Sequence, residues 1–578
     1  MSKTPNYDAK VKAILDAMVS GERVCALTGE KWTMTEEEIG WYKKFNVPPS
    51  KYAPLTRLQV SLSFYNCYQW WNHRHAETGA PLLTAIHPAT GLKILPDNEW
   101  RQKDFSEMGV SYDANRSFFE QFRELQLRVP QPASMNVVEP INSISQGSSG
   151  DRNSYFVTLT TSENSLFSFW AEDVRESAYV YSSVNVFDSF FISNSLNIHT
   201  SNFVNCSKAV LSSDFVFFSE DVEHCFGVAN RKHARYFWWD EQLSKGEWEK
   251  RREAVDFSRR DEFEKWKARW HTFLAEDIIW PENMNVNTTD CFGEYLYSSD
   301  GLHFVYDASH NSRHMFWCAH VAHDASDAAF TGGVIRGSDV YESVGAYESR
   351  DVKFSYNIQS CQRIEYSYQL TNCEDCFGCV GLQRKRFHIF NQPYSEEEYR
   401  GRVDELKCAM LETGEYGRFF PLAFSSAYFG QSGAVMFLGS DPSLWKKLGG
   451  HVFDPESAGA LGKDLAEAKT YMDSTDVPAS IDDLGDEWAG RPLFDRAYGR
   501  RYSLFKPEIA YYRRKRLAPP TQHFIYRMLD LVNESNKGIY SQRSCEQCHK
   551  KVTIACNIKY PNRRIYCKKC YLVYIEHR

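Results

Sequence analysis

The chain has no long hydrophobic run. In 578 residues nothing approaches the roughly 18 consecutive apolar residues that span a bilayer, and the opening MSKTPNYDAK is polar and charged. A membrane-spanning segment and a secretory leader are thus not expected, and a cytoplasmic protein is. The sequence also lacks GxSxG, HExxH and a Walker phosphate loop. GGVIRG at 332–337 lacks the strand–turn–helix surroundings of a dinucleotide site. Carboxylates are plentiful, but none pair visibly across a groove, so no catalytic residue is assigned and a non-enzymatic protein is expected. A disulfide framework is missing as well. The sixteen cysteines are spread out, and their densest groups follow Cys-x-x-Cys spacing, which suits metal binding in a reducing compartment.

What is present is a folded composition, 43% apolar and 15% aromatic. The net charge of −8 hides a split. From Arg496 to Arg578 there are 19 Lys and Arg against 5 Asp and Glu, a net +14, which leaves −22 on the first 495 residues. A basic tail of this kind suits an anionic partner.

Internal repeats organise the chain. CFGVANRKHARYFWWDEQLSKGEWEKR from Cys225 aligns without a gap with CFGCVGLQRKRFHIFNQPYSEEEYRGR from Cys376, 151 residues on. In both, Ser-x-x-Glu (Ser244, Glu247; Ser395, Glu398) is a capping-box signature. It predicts helices over about 245–275 and 396–412. Upstream of each CFG lie short phrases such as DSFFIS, TSNFVN, SDVYES and RDVKFSY, each a turn residue followed by a β-prone run, recurring every 10 to 15 residues. That spacing fits a parallel β-solenoid or an antiparallel sandwich, and the shared turn-then-strand phrase favours the solenoid. A second repeat joins the ends: EIGWYKKFNVPP at 38–49 matches EIAYYRRKRLAPP at 508–520, and at the same offset of 470 Arg57 falls on Arg527.

The expected fold is mainly β, with duplicated β-solenoid (parallel β-helix-like) halves joined by helices and zinc-ribbon-like terminal domains. The expected segments are a degenerate zinc-ribbon-like domain (1–130), the first solenoid half (131–243), a charged helical connector (244–283), the second half (284–394), a helix and acidic linker region (395–495), and a basic carboxy-terminal zinc ribbon (496–578).

Within that last segment, SCEQCHKKVTIACNIKYPNRRIYCKKC carries two Cys-x-x-Cys pairs 18 residues apart. Two such knuckles give one tetrahedral zinc four thiolates, so Cys545, Cys548, Cys567 and Cys570 are expected to hold one structural Zn2+. Cys556 reads as a packed strand residue. Carrying the 470 offset forward puts His75 on Cys545, Thr78 on Cys548, Asp97 on Cys567 and Trp100 on Cys570, so the amino-terminal copy is expected to be metal-free and held by Trp70, Trp71 and Trp100. Cys373, Cys376 and Cys379 form Cys-x-x-Cys-x-x-Cys, read either as part of a cluster site or, preferably, as buried thiols of the solenoid. His310, His314, His320 and His323 read as exposed turn residues, with metal binding as the alternative. Arg513, Arg514, Lys515, Arg516, Lys550, Lys551, Arg563, Arg564, Lys568 and Lys569, set among tyrosines, form a candidate surface for nucleic acid or an acidic protein face. Plain solvated surface is the competing reading.

The order of FFEQFRELQLRVPQP (118–132), NCEDCFGCVGLQRKRFHIFNQPYSEEEY (372–399), TGEYGRFFP (413–421) and CEQCHKKVTIACNIKYPNRRIYCKKCY (545–571) resembles a family of uncharacterised Patescibacteria-type proteins in which zinc-ribbon repeats flank a Cys-rich repetitive middle. The resemblance implies this architecture and no activity. Where that family tends to show Cys-Pro-x-Cys-Arg, this chain has Ala53-Pro54-Leu55-Thr56-Arg57, and Phe524 to Arg527 likewise lack a cysteine. The expected role is a zinc-binding scaffold or binding protein whose tail docks nucleic acid or an assembly partner. A component of a self-associating particle and a carbohydrate-active β-helix enzyme are the alternatives.

Overall fold

A computed structural model describes residues 3–441, 443–450, 454 and 470–577. The remainder of the expected 395–495 linker lies outside these residues. The chain is mainly β, and the strands of its two large sheets pair almost entirely in parallel.

Each large sheet is a winding with a twelve-residue repeat. In the first, Leu196 pairs with Lys208, Lys208 with Glu220 and Glu220 with Lys232. On a second ladder Phe190 pairs with Asn202, Asn202 with Asp214 and Asp214 with Phe226. The second winding runs Ser338–Arg350–Gln362–Glu374–Arg386 on one ladder and Val344–Tyr356–Tyr368 on the other. Parallel pairing at a fixed register is incompatible with an antiparallel sandwich.

The sequence phrases follow from this geometry. Over most of both windings every third residue has a positive φ, as at Phe203, Cys206, Ala209, Ser212 and Phe215, so the chain turns a corner every three residues. Between corners every third side chain points inward, and the inward rows alternate. Val180, Val186, Ile192, Ile198, Val204, Val210, Val216 and Val222 build the apolar core of the first winding. The other row is serine. Ser189 donates its hydroxyl to the Phe187 carbonyl (2.8 Å) and accepts the Ser201 N–H (3.2 Å); Ser201 donates to His199 (2.7 Å) and accepts from Ser213 (3.1 Å). Buried backbone groups at the corners are thereby satisfied, as a dry interior requires.

The cysteine motif at 373–379 is three consecutive inward positions. Cys361, Cys373 and Cys379 stand in the serine row of the second winding, and Cys376 stands in the apolar row beside Ile364 and Leu370. The thiols take over the serine bonds: Cys361 Sγ donates to the Gln359 carbonyl (3.1 Å) and accepts the Cys373 N–H (3.1 Å). Among the four histidines, His310 and His314 are exposed. His320, expected at an exposed turn, does sit at a corner (φ +54°) but has 0% exposure, because Phe437 covers it with the two rings 3.6 Å apart.

The helix predicted over 245–275 is two helices, Lys245–Glu253 and Arg260–Thr272. Between them the Asp256 carboxylate accepts the Ser258 N–H (2.9 Å), a local turn that competes with helix. The helix Glu396–Thr413 carries a complete capping box between Ser395 and Glu398. No described helix is long and apolar enough to cross a membrane.

The chain divides into two compact units. One comprises 1–67, 73–133 and 285–453; the other comprises 68–72, 134–284 and 454–578. Each unit therefore joins one winding to a chain end remote in sequence. The 470-residue repeat marks the join in both. In the first unit Arg57 lies 3.3 Å over the Phe330 ring and donates to Tyr42 Oη (3.1 Å) and Glu342 Oε2 (2.6 Å). In the second Arg527 lies 5.1 Å over Phe167 and donates to Glu508 Oε1 (2.8 Å) and Tyr512 Oη (3.0 Å). Glu38, Tyr42 and Arg57 are the repeat mates of Glu508, Tyr512 and Arg527. All six are buried.

Candidate metal centre

The hairpin Lys537–Ser544 and Lys551–Cys556 presents the first Cys-x-x-Cys at its turn. The short strand Arg564–Tyr566 delivers the second, and Cys567 is the N-cap of the helix Lys568–Glu576. A 2.9 Å bond from the His549 N–H to the Cys545 carbonyl closes the first knuckle, and the Glu546 N–H reaches the Ile565 carbonyl (3.0 Å) to hold the two knuckles together.

The result is a cluster of four sulfurs, those of Cys545, Cys548, Cys567 and Cys570, all within 4.8 Å of one another. Zinc–sulfur bonds of about 2.3 Å place the corners of a tetrahedron about 3.8 Å apart. The sulfurs of Cys548 and Cys567 are separated by 3.7 Å. These residues therefore fit a tetrahedral metal ion. Burial alone would raise the Cys545 thiol, but the N–H groups of Cys567, Cys548 and Gln547 point at its sulfur and pull it down to about 6. Cys570 moves the other way, to about 12, through desolvation and then its contacts with the other three sulfurs. Four thiols this close resist becoming thiolates together unless a cation joins them, as a divalent metal would.

The structure contains three further copies of this knuckle frame among the described residues. The bond from the fifth residue back to the first recurs as Gly29 to Cys25 (2.8 Å), Gly79 to His75 (3.0 Å) and Gly499 to Asp495 (2.8 Å). The donor has a left-handed φ each time: +74° at Gly29, +71° at Gly79, +71° at Gly499 and +59° at His549. Glycine is favoured there because the conformation penalises a Cβ. In each copy a helix begins at the opposite knuckle, with Ala53, Pro96, His523 or Cys567 as its N-cap.

Other side chains fill the position that a metal ion would take. Cys25 Sγ faces Thr56 Oγ1 at 3.8 Å. His75 Nδ1 accepts the N–H groups of Glu77 (3.1 Å) and Thr78 (3.3 Å), so its Nε2 carries the proton and donates to Glu99 (2.9 Å). Asp495 accepts the N–H groups of Tyr498 (3.0 Å) and His523 (2.8 Å). The second copy also corrects the constant offset. The Ala76 N–H bonds to Ile94, the counterpart of the Glu546 bond to Ile565, which places Pro96 and Glu99, not Asp97 and Trp100, opposite Cys567 and Cys570. The copies at 25–56 and 495–526 went unread, although Cys-Ala-Leu-Thr-Gly at 25–29 and His-Ala-Glu-Thr-Gly at 75–79 share Ala-x-Thr-Gly at a spacing of 50.

The basic residues separate into two groups. Arg513 pairs with Asp486, Arg514 with Asp188 (2.7 Å), Lys515 with Asp188 (3.2 Å) and Arg516 with Asp482. The run at 513–516 is thus paired with carboxylates of the protein, although Arg513, Arg514 and Arg516 remain exposed. Arg563 is buried and donates to the carbonyls of Ala555 (2.7 Å) and Tyr560 (3.3 Å), and Arg564 pairs with Glu546 (3.1 Å). Lys550, Lys551, Lys568 and Lys569 are exposed. Cys556 ends a strand, half-buried.

No protein-family model, no curated protein and no solved structure matches this chain.

Proposed function

We propose that the protein is a non-enzymatic scaffold, built of two β-solenoids, in which a structural zinc staples a carboxy-terminal ribbon that docks a polyanionic partner. The carrying observation is the four-sulfur cluster. Four protein ligands fill a tetrahedral ion and leave no position for water or substrate, so the metal holds shape and does no chemistry. Soft thiolates in a tetrahedron select zinc or iron, and a redox-silent staple suits zinc. The three frames closed by Cys25–Thr56, His75–Glu99 and Asp495–His523 support the same reading. The frame serves as a mount, and the metal is one of several ways of locking it. The solenoids supply the long surfaces on which scaffolds depend.

Elemental analysis of the purified full-length chain tests the metal. One zinc per chain is expected, lost on Cys545→Ser, with hydrogen exchange accelerating over 537–577 when zinc is chelated. Iron in its place, or a metal-free protein whose exchange ignores a chelator, would overturn the assignment.

A further inference from the structure

The tail carries a net +14 from residue 496 on, and the fold pairs part of its cations with carboxylates. Arg513 to Arg516, Arg527, Lys559 and Arg564 each meet a carboxylate. Five cations around the four-sulfur cluster are not so engaged. Lys568 and Lys569 lie between two of the ligands. Lys550 and Lys551 follow Cys548 by two and three residues, with the Cys545 N–H bonded to the Lys550 carbonyl (2.9 Å). Arg543 lies two residues before Cys545 on the facing strand, in register with Val552. All five are exposed, and none has an ion-pair partner among the described residues. Because the cluster draws the two knuckles to within 4.8 Å at their sulfurs, it also gathers these five charges around one point.

We infer that this rim is a docking site for the phosphate backbone of a nucleic acid, and that the run at 513–516 is not. The inference rests on the docking role proposed above and names its surface and partner. Lysines are depleted from protein–protein interfaces, whose energy comes from buried aromatic and arginine anchors. They are ordinary phosphate contacts. The nearby rings are already engaged: Tyr566 donates to Gln547 (3.2 Å) and packs on Tyr574, and Tyr571 is buried and donates to Asn230 (2.8 Å). With these rings engaged, the contact is to backbone and insensitive to sequence, and duplex serves as well as single strand.

The test is fluorescence anisotropy of the full-length zinc-loaded protein with labelled duplex DNA over a range of salt. Substituting Lys550, Lys551, Lys568 and Lys569 together by Gln should weaken binding at low salt by about tenfold or more and reduce the slope of log K against log salt by about 3. The matched Lys→Arg set should restore both. Arg513→Gln with Arg514→Gln should leave binding unchanged. Wild type that ignores duplex at low salt, or a Gln set that binds as wild type does, overturns the inference. Displacement of DNA by polyglutamate at equal charge would overturn it in favour of an acidic protein face. Zinc is measured on every variant, so a metal-free wild type that still binds DNA sinks the zinc assignment alone.

Discussion

Cys361 and Cys376 look equivalent in the sequence, but the winding assigns them to different rows. Cys361 makes the two bonds that serine makes elsewhere in its row, so Cys361→Ser should change stability by less than about 1 kcal/mol. Cys376 lies among Ile364, Leu370 and Leu382, where a hydroxyl loses apolar contact, so Cys376→Ser should destabilise by about 1–3 kcal/mol and Cys376→Val should not. Denaturant unfolding of the three variants decides; equal losses for the two serine variants would refute the row assignment. His320 gives a residue-scale pH prediction. Burial pushes it down to about 3, so it stays neutral in the folded unit while an unfolded histidine takes up a proton below about 6.5. The unfolded state then binds more protons, and stability falls as pH drops from about 6.5 towards 3, by up to about 1.4 kcal/mol per pH unit. Urea unfolding of wild type against His320→Phe should show a gap that closes with acidity. A gap independent of pH would mean that the ring is charged in place.

Among elements, the knuckle frame shows what sequence can and cannot carry. Where chemistry demands an uncommon residue at fixed spacing, as with four thiols, the site is legible letter by letter. Where hydrogen bonds do the locking, many side chains serve, and Cys25 with Thr56, His75 with Glu99 and Asp495 with His523 share no common letter. What persists is backbone: the left-handed fifth residue and the helix that starts at the opposite knuckle. The strand phrases were legible for a similar reason, because a corner every three residues and alternating Ser and Val rows impose a period. The split of the helix over 245–275 was not, since Asp256 and Ser258 signal a turn only weakly against a strongly helical run.

For the whole molecule, the two repeats at offsets of 151 and 470 reveal that windings and ends are each duplicated, but not which end belongs with which winding. That pairing is made by contacts whose partners lie hundreds of residues apart, such as Arg57 with Glu342 and Arg527 with Phe167, and no local pattern announces them. The pairing makes the basic tail dependent on the first winding. Tyr511 donates to the Ser189 carbonyl (2.9 Å), the strand Ile279–Pro281 pairs in parallel with Arg564–Tyr566, and Tyr571 donates to Asn230 (2.8 Å). Residues 496–578 alone would expose Ile509, Phe524 and Ile525 and leave the Arg527–Glu508 pair without its aromatic cover. Expressed by itself, 496–578 should therefore fail to give a dispersed amide spectrum even with zinc. Coexpressed as two chains, 134–284 and 454–578 should copurify with one zinc, and Arg527→Ala, which strips a buried carboxylate of its partner, should weaken the association by about 3–5 kcal/mol. A well-dispersed, zinc-loaded 496–578 on its own would show instead that the ribbon folds independently and that its contacts with the winding are secondary.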